Sequence, residues 1–142
     1  MTYANGSVGQ TGTILPAHEC WNLLASQSLG RLVTSVDGQP EIFPVNFVVQ
    51  RNSVLFRTAE GTKLVSVAIN NHVVFEADEH NVAEGWSVVV KGTTRSLRTD
   101  EEIADALRAQ LLPWTPHAKT HYVRLIPSQI TGRRFQFGPE PD

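Results

Sequence analysis

The sequence is poor in several features that would assign a protein to a well-defined class. It contains one cysteine, Cys20, which excludes an internal disulfide and a cysteine-built zinc site. The five histidines are dispersed without the spacing of metal ligands, so we expect no metal centre. No apolar run approaches the roughly 20 residues that a membrane-spanning helix requires. The sequence also lacks a GxGxxG loop, a Walker loop and a Gly-x-Ser-x-Gly elbow, which are the patterns of dinucleotide-binding, P-loop and serine-hydrolase proteins.

Charge is scarce as well, and the cations are mostly of one type. The 142 residues carry a net charge of −2, with nine arginines and only three lysines. We therefore expect neither nucleic acid nor a membrane as a partner. Hydrophobic residues make up 41% of the chain and charged residues 18%, which is sufficient apolar material for a folded core.

The length of the chain fits a single domain. We predict a domain over residues 13–137, with a flexible arm over 1–12 and a tail over 138–142. Because residues 1–12 lack the positive and apolar regions of a secretory signal, we expect a cytoplasmic protein. Cys20 falls on the apolar stripe of a predicted helix, which favours a buried and unreactive thiol.

Hydrophobic periodicity predicts strands with a few short helices. The turn signals Asp37-Gly38 and Arg51-Asn52 predict an antiparallel meander of three strands. Thr99, with a glutamate three residues later, has the form of a capping box. Gly92 predicts a bulge or bend, and Pro127 predicts a break in the last strand. The predicted elements are a helix over 16–28, strands over 31–36, 41–50 and 53–58, a helix over 60–70, strands over 72–78 and 85–98, a helix over 99–112 and a final strand over 121–137.

The predicted strand over 41–50 is largely apolar on both of its faces. A strand of this kind is buried on both sides, so its sheet must curl into a barrel or be covered. The order of elements predicts a mainly β protein with small helices, of the antiparallel barrel type rather than a βαβ fold. Two-sided apolar strands in so small a chain also predict a homodimer, because one barrel cannot cover all of this surface.

The segment from Phe56 to Leu64 is the strongest candidate for chemistry. A strand ends, a glycine-containing turn follows, and a helix begins at about Thr62, where free backbone N–H groups form an anion site. Arg57 and Lys63 bring two of the few cations to that site, which is the chemistry that a phosphate monoester needs. The alternative is an ordinary strand-to-helix turn with solvated charges.

Other candidates are weaker on their own. Trp86 could stack on a planar ring and Ser87 could bond its edge, but a Trp at the start of a strand is more often core or interface. Trp114 could likewise stack on a ligand or belong to the core or an interface. Arg133 and Arg134 could pair with an acidic substrate or belong to a solvated face.

Taken together, these segments resemble the pyridoxamine 5′-phosphate oxidase-like FMN-binding split barrels. The resemblance is closer to the short actinobacterial-type members grouped with nitroimidazole-resistance proteins. It covers roughly residues 14 to 136 in the expected order. The stretches that carry it are Glu19-Cys20-Trp21-Asn22-Leu23-Leu24, Gly30-Arg31-Leu32, Pro44-Val45-Asn46-Phe47, Phe56-Arg57-Thr58, Gly61-Thr62-Lys63-Leu64, the strand from Gly85-Trp86-Ser87 to Gly92, Pro113-Trp114, Val123-Arg124-Leu125-Ile126-Pro127 and Thr131-Gly132-Arg133-Arg134.

The resemblance implies a six-stranded antiparallel Greek-key split barrel that is dimeric, with FMN in clefts between the subunits. It places the strand segment Pro44-Val45-Asn46 along the isoalloxazine ring. It assigns Arg57, Thr58, Thr62 and Lys63 to the phosphate, with Leu64 completing that motif, and sets Trp86 and Ser87 beside the ring.

The function that the resemblance implies is FMN-dependent oxidoreduction of a small-molecule substrate that the sequence does not identify, with no catalytic residue assigned. Trp86 stands where the oxidases use a polar side chain, and the C-terminal region has Arg124, Arg133 and Arg134 without the Trp that those enzymes use. These departures argue against pyridoxamine phosphate as the substrate. Two alternatives remain: a deazaflavin (F420) reductase on the same fold, and a non-enzymatic flavin or haem carrier.

Overall fold

The structure is a computed structural model, and it describes residues 10–58, 70–109 and 121–138. Seven strands and two helices lie within these ranges, so the mainly β prediction is confirmed. The predicted helix over 60–70 lies almost entirely outside the described residues. The elements are β1 (Gln10–Ile14), α1 (Ala17–Ala25), β2 (Leu29–Val36), β3 (Gln39–Val49), β4 (Val54–Thr58), β5 (His72–His80), β6 (Glu84–Ser96), α2 (Asp100–Leu107) and β7 (His121–Phe137).

The strands form one antiparallel sheet that closes on itself. Their order is β1-β7-β4-β3-β2-β5-β6, and an additional pairing of β7 with β6 completes a ring of β2 to β7. Strand β5 returns beside β2 after the meander of β2, β3 and β4, which is the Greek-key arrangement. The Greek-key barrel prediction is therefore confirmed.

The prediction of six strands is wrong by one, because β1 adds a seventh strand outside the ring. It pairs with the C-terminal half of β7, from Gln10↔Phe137 to Ile14↔Arg133. Its sequence, QTGTI, is short and contains a glycine, so it shows no clear alternation of apolar and polar residues. The pairing extends into residues that the sequence analysis assigned to the N-terminal arm.

Both predicted tight turns of the meander are present. Asp37 and Gly38 have φ angles of 53° and 75°, and Arg51 and Asn52 have φ angles of 50° and 52°. Two successive residues with positive φ are typical of the type I′ turn, whose twist matches that of the flanking strands. The first turn fixes the β2–β3 register from Val36↔Gln39 to Leu29↔Asn46, and the second fixes the β3–β4 register from Val49↔Val54 to Phe47↔Phe56.

Strand β7 is continuous through Pro127, so the predicted break is a bulge instead. Gly92 of β6 pairs with Pro127 whereas Lys91 pairs with Gln129, which leaves Ser128 as the extra residue. The Ser128 hydroxyl donates to the Lys91 carbonyl at 3.0 Å. Gly92 faces this bulge from the other strand, and a Cβ there would lie 2.0 Å from the Ile126 carbonyl oxygen. The irregularity predicted at Gly92 is therefore real, but its extra residue lies on β7.

The core fills the inside of the barrel and extends under α1. Phe47 and Phe75 meet edge to face inside the ring, with ring centroids 4.7 Å apart. Cys20 and Leu24 of α1 are both fully buried against this core. Burial raises the pKa of the Cys20 thiol, as does the charge of the adjacent Glu19. The prediction of a buried Cys20 is confirmed.

Helix α2 begins where the capping box predicted. The Thr99 hydroxyl accepts from the Glu102 backbone N–H at 3.1 Å, and the Glu102 carboxylate accepts from the Thr99 N–H at 3.2 Å. The helix packs on the outside of the barrel, where its Ala106 joins Leu55 and Leu97 in a second small cluster. Within the described residues, neither helix is long and apolar enough to cross a membrane.

Candidate functional site

Strand alternation divides the candidate residues of β3 between the two faces of the barrel wall. Val45 is 0% exposed and belongs to the barrel core together with Phe47. Pro44 and Asn46, on either side of Val45, therefore face outwards; Pro44 is exposed and Asn46 is half-buried. A ligand lying on this strand from outside would meet Pro44 and Asn46 and the backbone between them.

Arg57 lies on the same outer face, next to Asn46. Phe56 is fully buried in the barrel core, so its neighbour Arg57 faces outwards. The β3–β4 ladder ends at Phe47↔Phe56, and the register continued by one residue sets Asn46 opposite Arg57. The guanidinium carbon of Arg57 stands 5.4 Å from the ring centroid of Tyr122, in a cation–π contact with the neighbouring strand. The barrel wall thus presents a positioned cation beside an amide side chain.

The other residues of the predicted phosphate motif fall partly or wholly outside the described residues. Thr58 is the last residue of β4 and pairs with His121, but only its backbone is described. Thr62, Lys63 and Leu64 are not among the described residues, and neither is Trp114. Their predicted roles remain predictions.

Trp86 and Ser87 point to opposite sides of β6. Trp86 is 7% exposed and packs against the barrel core. It also lines a surface cavity of about 340 Å³ together with Leu23 and Arg134. Ser87 faces outwards, and its hydroxyl donates to the Glu76 carboxylate at 3.3 Å. Of this pair, only Ser87 therefore shares the outer face with Pro44, Asn46 and Arg57.

A charged cluster on this outer face was not predicted from the sequence. Arg31 of β2 donates from its Nε to Glu76 at 2.7 Å and approaches Asp78 at 2.9 Å. Burial raises the pKa of Glu76, and the neighbouring Asp78 carboxyl raises it further, while Arg31 acts in the opposite direction. Arg31 also pairs with Pro44 across the β2–β3 ladder, so the cluster lies beside the predicted ligand strand. The available signal was the acidic pair at i and i+2 directly after the apolar run Val73-Val74-Phe75.

The outer face therefore combines three chemical features within neighbouring strands. Arg57 supplies a fixed positive charge, Asn46 an amide, and the cluster of Arg31, Glu76 and Asp78 a partly buried group of charges. A cation and an amide side by side on adjacent strands can bind an anionic group and orient a planar ring attached to it.

Comparison with known proteins agrees with the barrel topology. The family model for pyridoxamine 5′-phosphate oxidase matches residues 16–134. The solved structure of the FAD binding protein from Mycobacterium smegmatis is 63% identical with a TM-score of 0.78, and the match covers 87% of this chain and 99% of that one. A Corynebacterium glutamicum structure, named provisionally as a pyridoxamine 5′-phosphate oxidase, is 46% identical with a TM-score of 0.83, covering 91% and 96% of the two chains.

A Mycobacterium tuberculosis protein without an assigned function is 61% identical over 95 residues, which is 67% of this chain and 86% of that protein. The family match itself runs from the start of α1 almost to the end of β7. Because this match covers most of the chain, the chain belongs to the pyridoxamine 5′-phosphate oxidase family and shares its split-barrel fold.

Proposed function

We propose that this chain is a flavin-dependent oxidoreductase that holds its cofactor against the outside of the barrel, along β3 and the end of β4. The observation that carries the proposal is the outward-facing pair of Arg57 and Asn46 on adjacent strands. The 63% identical protein of M. smegmatis, which is described as FAD binding, supports a flavin as the ligand. Because Arg57 faces outwards from the barrel, we expect its guanidinium to bind the phosphate on the outer face.

The phosphate next to the ribityl chain is common to FMN and FAD, and Arg57 would bind it in either cofactor. A guanidinium offers a fork of donors that matches a phosphate in shape and charge. Of FMN, FAD and F420, FMN is the smallest cofactor that carries a phosphate for Arg57 to bind. FAD carries the same phosphate with a further nucleotide, and F420 carries a phosphodiester in a longer tail.

The redox chemistry would be supplied by the flavin when it is bound, and the protein would bind and orient it. The backbone of Pro44 to Asn46 would lie along the ring, and Arg57 would fix the phosphate. Arg31 lies on β2 opposite Pro44, and its partners Glu76 and Asp78 lie on β5 beyond it, so the cluster would set the polarity beside the ring. Of its members, Asp78 is the most exposed and the most accessible to a small substrate.

The same proposal includes a homodimer with the cofactor between its subunits. Ile42 is 63% exposed on the outer face of β3, and it stands next to Val33 of β2, which pairs in turn with Val74 of β5. Covering such a patch is a common reason for association. We expect a two-fold dimer that buries more than the roughly 1,600 Å² of a standard interface. Ile42→Lys should shift the light-scattering mass of the purified protein towards the monomer, and a wild type that is monomeric at micromolar concentration would contradict the dimer.

The binding experiment titrates flavin-free protein with FMN, FAD, riboflavin and F420, with ligand fluorescence as the readout. Arg57→Ala should weaken FMN about ten- to a hundredfold, because charge-assisted bonds contribute roughly 1.5–3 kcal/mol. Riboflavin, which has no phosphate, should lose little. Arg98→Ala, which removes an exposed arginine just beyond the end of β6, is the matched control and should leave FMN binding unchanged.

Three results would redirect the proposal. Equal losses for FMN and riboflavin in Arg57→Ala would mean that Arg57 supports the fold rather than the phosphate. Exclusive binding of F420 would favour the deazaflavin reductase. Tight flavin binding without any turnover of added electron donors and acceptors would favour a carrier.

A further inference from the structure

Tyr122 of β7 lies directly beside Arg57 on the outside of the barrel. The two residues are a Cα pair of the antiparallel β4–β7 ladder, so their side chains leave the sheet on the same face. The guanidinium carbon of Arg57 stands 5.4 Å from the centre of the Tyr122 ring, and the Nε of Arg57 is buried. The Arg57 side chain is thus held against the barrel wall rather than extended into solvent.

The Tyr122 ring is itself fixed by the packing beneath α2. It is half-buried and packs against the small cluster of Leu55, Leu97 and Ala106 under that helix. The Leu97 backbone N–H donates to the Tyr122 carbonyl at 3.0 Å, which joins β7 to the end of β6 at this point. The ring therefore contacts both the apolar cluster and the Arg57 cation.

Arg124, two residues further along β7, anchors the same region. It is 9% exposed, and its guanidinium donates to the Ser53 hydroxyl and to the Gln50 side-chain oxygen, each at 2.9 Å. It also lies 3.8 Å from the Asp105 carboxylate of α2. The part of β7 that carries Tyr122 is therefore tied both to the β3–β4 turn and to α2.

An aromatic ring can orient an arginine without neutralising it. The ring attracts the cation through the negative charge of its π face, and the net charge of the guanidinium is unchanged by the contact. An arginine that is already positioned loses less side-chain entropy when a ligand binds to it. A ring beside Arg57 is therefore suited to preparing this residue for an anion.

We infer that Tyr122 is a positioning residue for the phosphate-binding arginine, and that it holds the Arg57 guanidinium on the outer face before the cofactor binds. The inference rests on the proposed function, because Tyr122 has this role only where Arg57 binds the phosphate. Tyr122 acts through Arg57 and requires no contact with the cofactor. Its loss should therefore weaken flavins that carry a phosphate and leave riboflavin unaffected.

The experiment measures the affinity of flavin-free wild type, Tyr122→Leu and Tyr122→Phe for FMN and for riboflavin, by quenching of the ligand fluorescence. Tyr122→Leu keeps an apolar side chain under α2 but removes the ring, so FMN should bind about three- to tenfold more weakly while riboflavin binds as before. Tyr122→Phe keeps the ring and should retain the wild-type preference for FMN. Ile126→Ala, which truncates an exposed side chain of the same strand, is the matched control and should change neither affinity.

A double-mutant cycle tests whether Tyr122 acts through Arg57. In the background of Arg57→Ala, Tyr122→Leu should cause no further loss of FMN affinity, because the ring then has no cation to hold. A full additional loss in the double variant would show that Tyr122 contacts the cofactor or supports the fold, and would overturn the inference.

A measurement on the wild type keeps the inference testable if Tyr122→Leu fails to fold. In the NMR spectrum of the flavin-free protein, the ring current of Tyr122 should displace the side-chain protons of Arg57 upfield, and Arg57→Lys identifies these signals by their loss. Arg57 signals at ordinary positions would mean that the ring does not hold the guanidinium, which would overturn the inference.

Failure of the proposed function has a different pattern from failure of the inference. If Arg57→Ala leaves FMN unchanged, or weakens FMN and riboflavin equally, Arg57 does not bind the phosphate and both proposals are wrong. If Arg57→Ala weakens FMN alone, three results overturn only the role of Tyr122: wild-type affinities in Tyr122→Leu, equal losses of FMN and riboflavin in that variant, or a Tyr122→Phe that behaves like Tyr122→Leu.

Discussion

Removing the cation of the outer-face cluster should destabilise the protein in a pH-dependent manner. In Arg31→Met, the carboxylates of Glu76 and Asp78 would remain side by side without the guanidinium that joins them. The contact with Glu76 is mostly shielded from water, and hydrogen bonds to charged groups contribute roughly 1.5–3 kcal/mol. The contact with Asp78 is half exposed and adds little. We therefore expect a loss of about 2 kcal/mol in the free energy of unfolding at pH 7.

The sign of the pH effect follows from Glu76. Its pKa in the folded protein is raised above the ordinary value, chiefly by burial. A raised carboxyl pKa favours folding at pH values below the unfolded pKa, and this contribution disappears as the pH rises through the folded pKa. Without Arg31 the pKa of Glu76 should rise further, because the guanidinium is the group that opposes the increase. The loss caused by Arg31→Met should therefore be smaller at pH 5 than at pH 7.

The assay is urea unfolding of the wild type and Arg31→Met at pH 5 and pH 7, at one fixed protein concentration because oligomers depend on it. Arg98→Met is the control for loss of an arginine without this cluster and should change stability by less than about 0.5 kcal/mol. Adding Glu76→Gln to Arg31→Met should recover part of the loss at pH 7. An equal loss at both pH values would refute the reasoning, because it would show that Arg31 acts through packing alone.

Three further predictions test the fold. Gly92→Ala should lower the unfolding free energy by about 3 kcal/mol or more, because the new methyl group would meet strand backbone; Gly138→Ala, with open space around it, should leave the urea midpoint unchanged. Thr99→Ala should cost about 1 kcal/mol by thermal melting, through loss of the helix cap, and an unchanged melting temperature would argue against the capping role. Cys20 should react with a disulfide reagent only in denaturant, since the thiol is buried and its pKa is raised; rapid reaction of the native protein would contradict the packing of α1.

Local chemistry made much of the fold predictable. The tight turn at Asp37-Gly38 and the cap at Thr99 depend on residues close together in the chain, so the local sequence predicts both. Strand β1 was missed because its pairing with β7 involves residues more than a hundred positions away, and QTGTI has no pattern of its own. The continuity of β7 through Pro127 depends on a bulge opposite Gly92, which is again a property of two strands together.

The candidate site was predictable in composition but not in arrangement. The cations near residue 57 mark an anion site from the sequence, but the outward direction of Arg57 depends on which neighbours fill the barrel. Because β3 is apolar on both faces, its alternation alone does not distinguish inside from outside. The opposite directions of Trp86 and Ser87 follow from the period of a strand, whereas the burial of Trp86 required the packed structure.

The closure of the ring by β7 has a consequence for how the protein is made. Strand β7 joins β4, β6 and β1, so its pairings include contacts as distant in sequence as Gln10 with Phe137. During translation the preceding strands can form the meander and the β5–β6 hairpin, but the edges of β4 and β6 stay open until β7 leaves the ribosome. Exposed strand edges invite association between nascent chains. We expect the final step of folding to be slow, as is usual for non-local strand pairing, and ribosome-bound chains stopped before β7 to need chaperone protection.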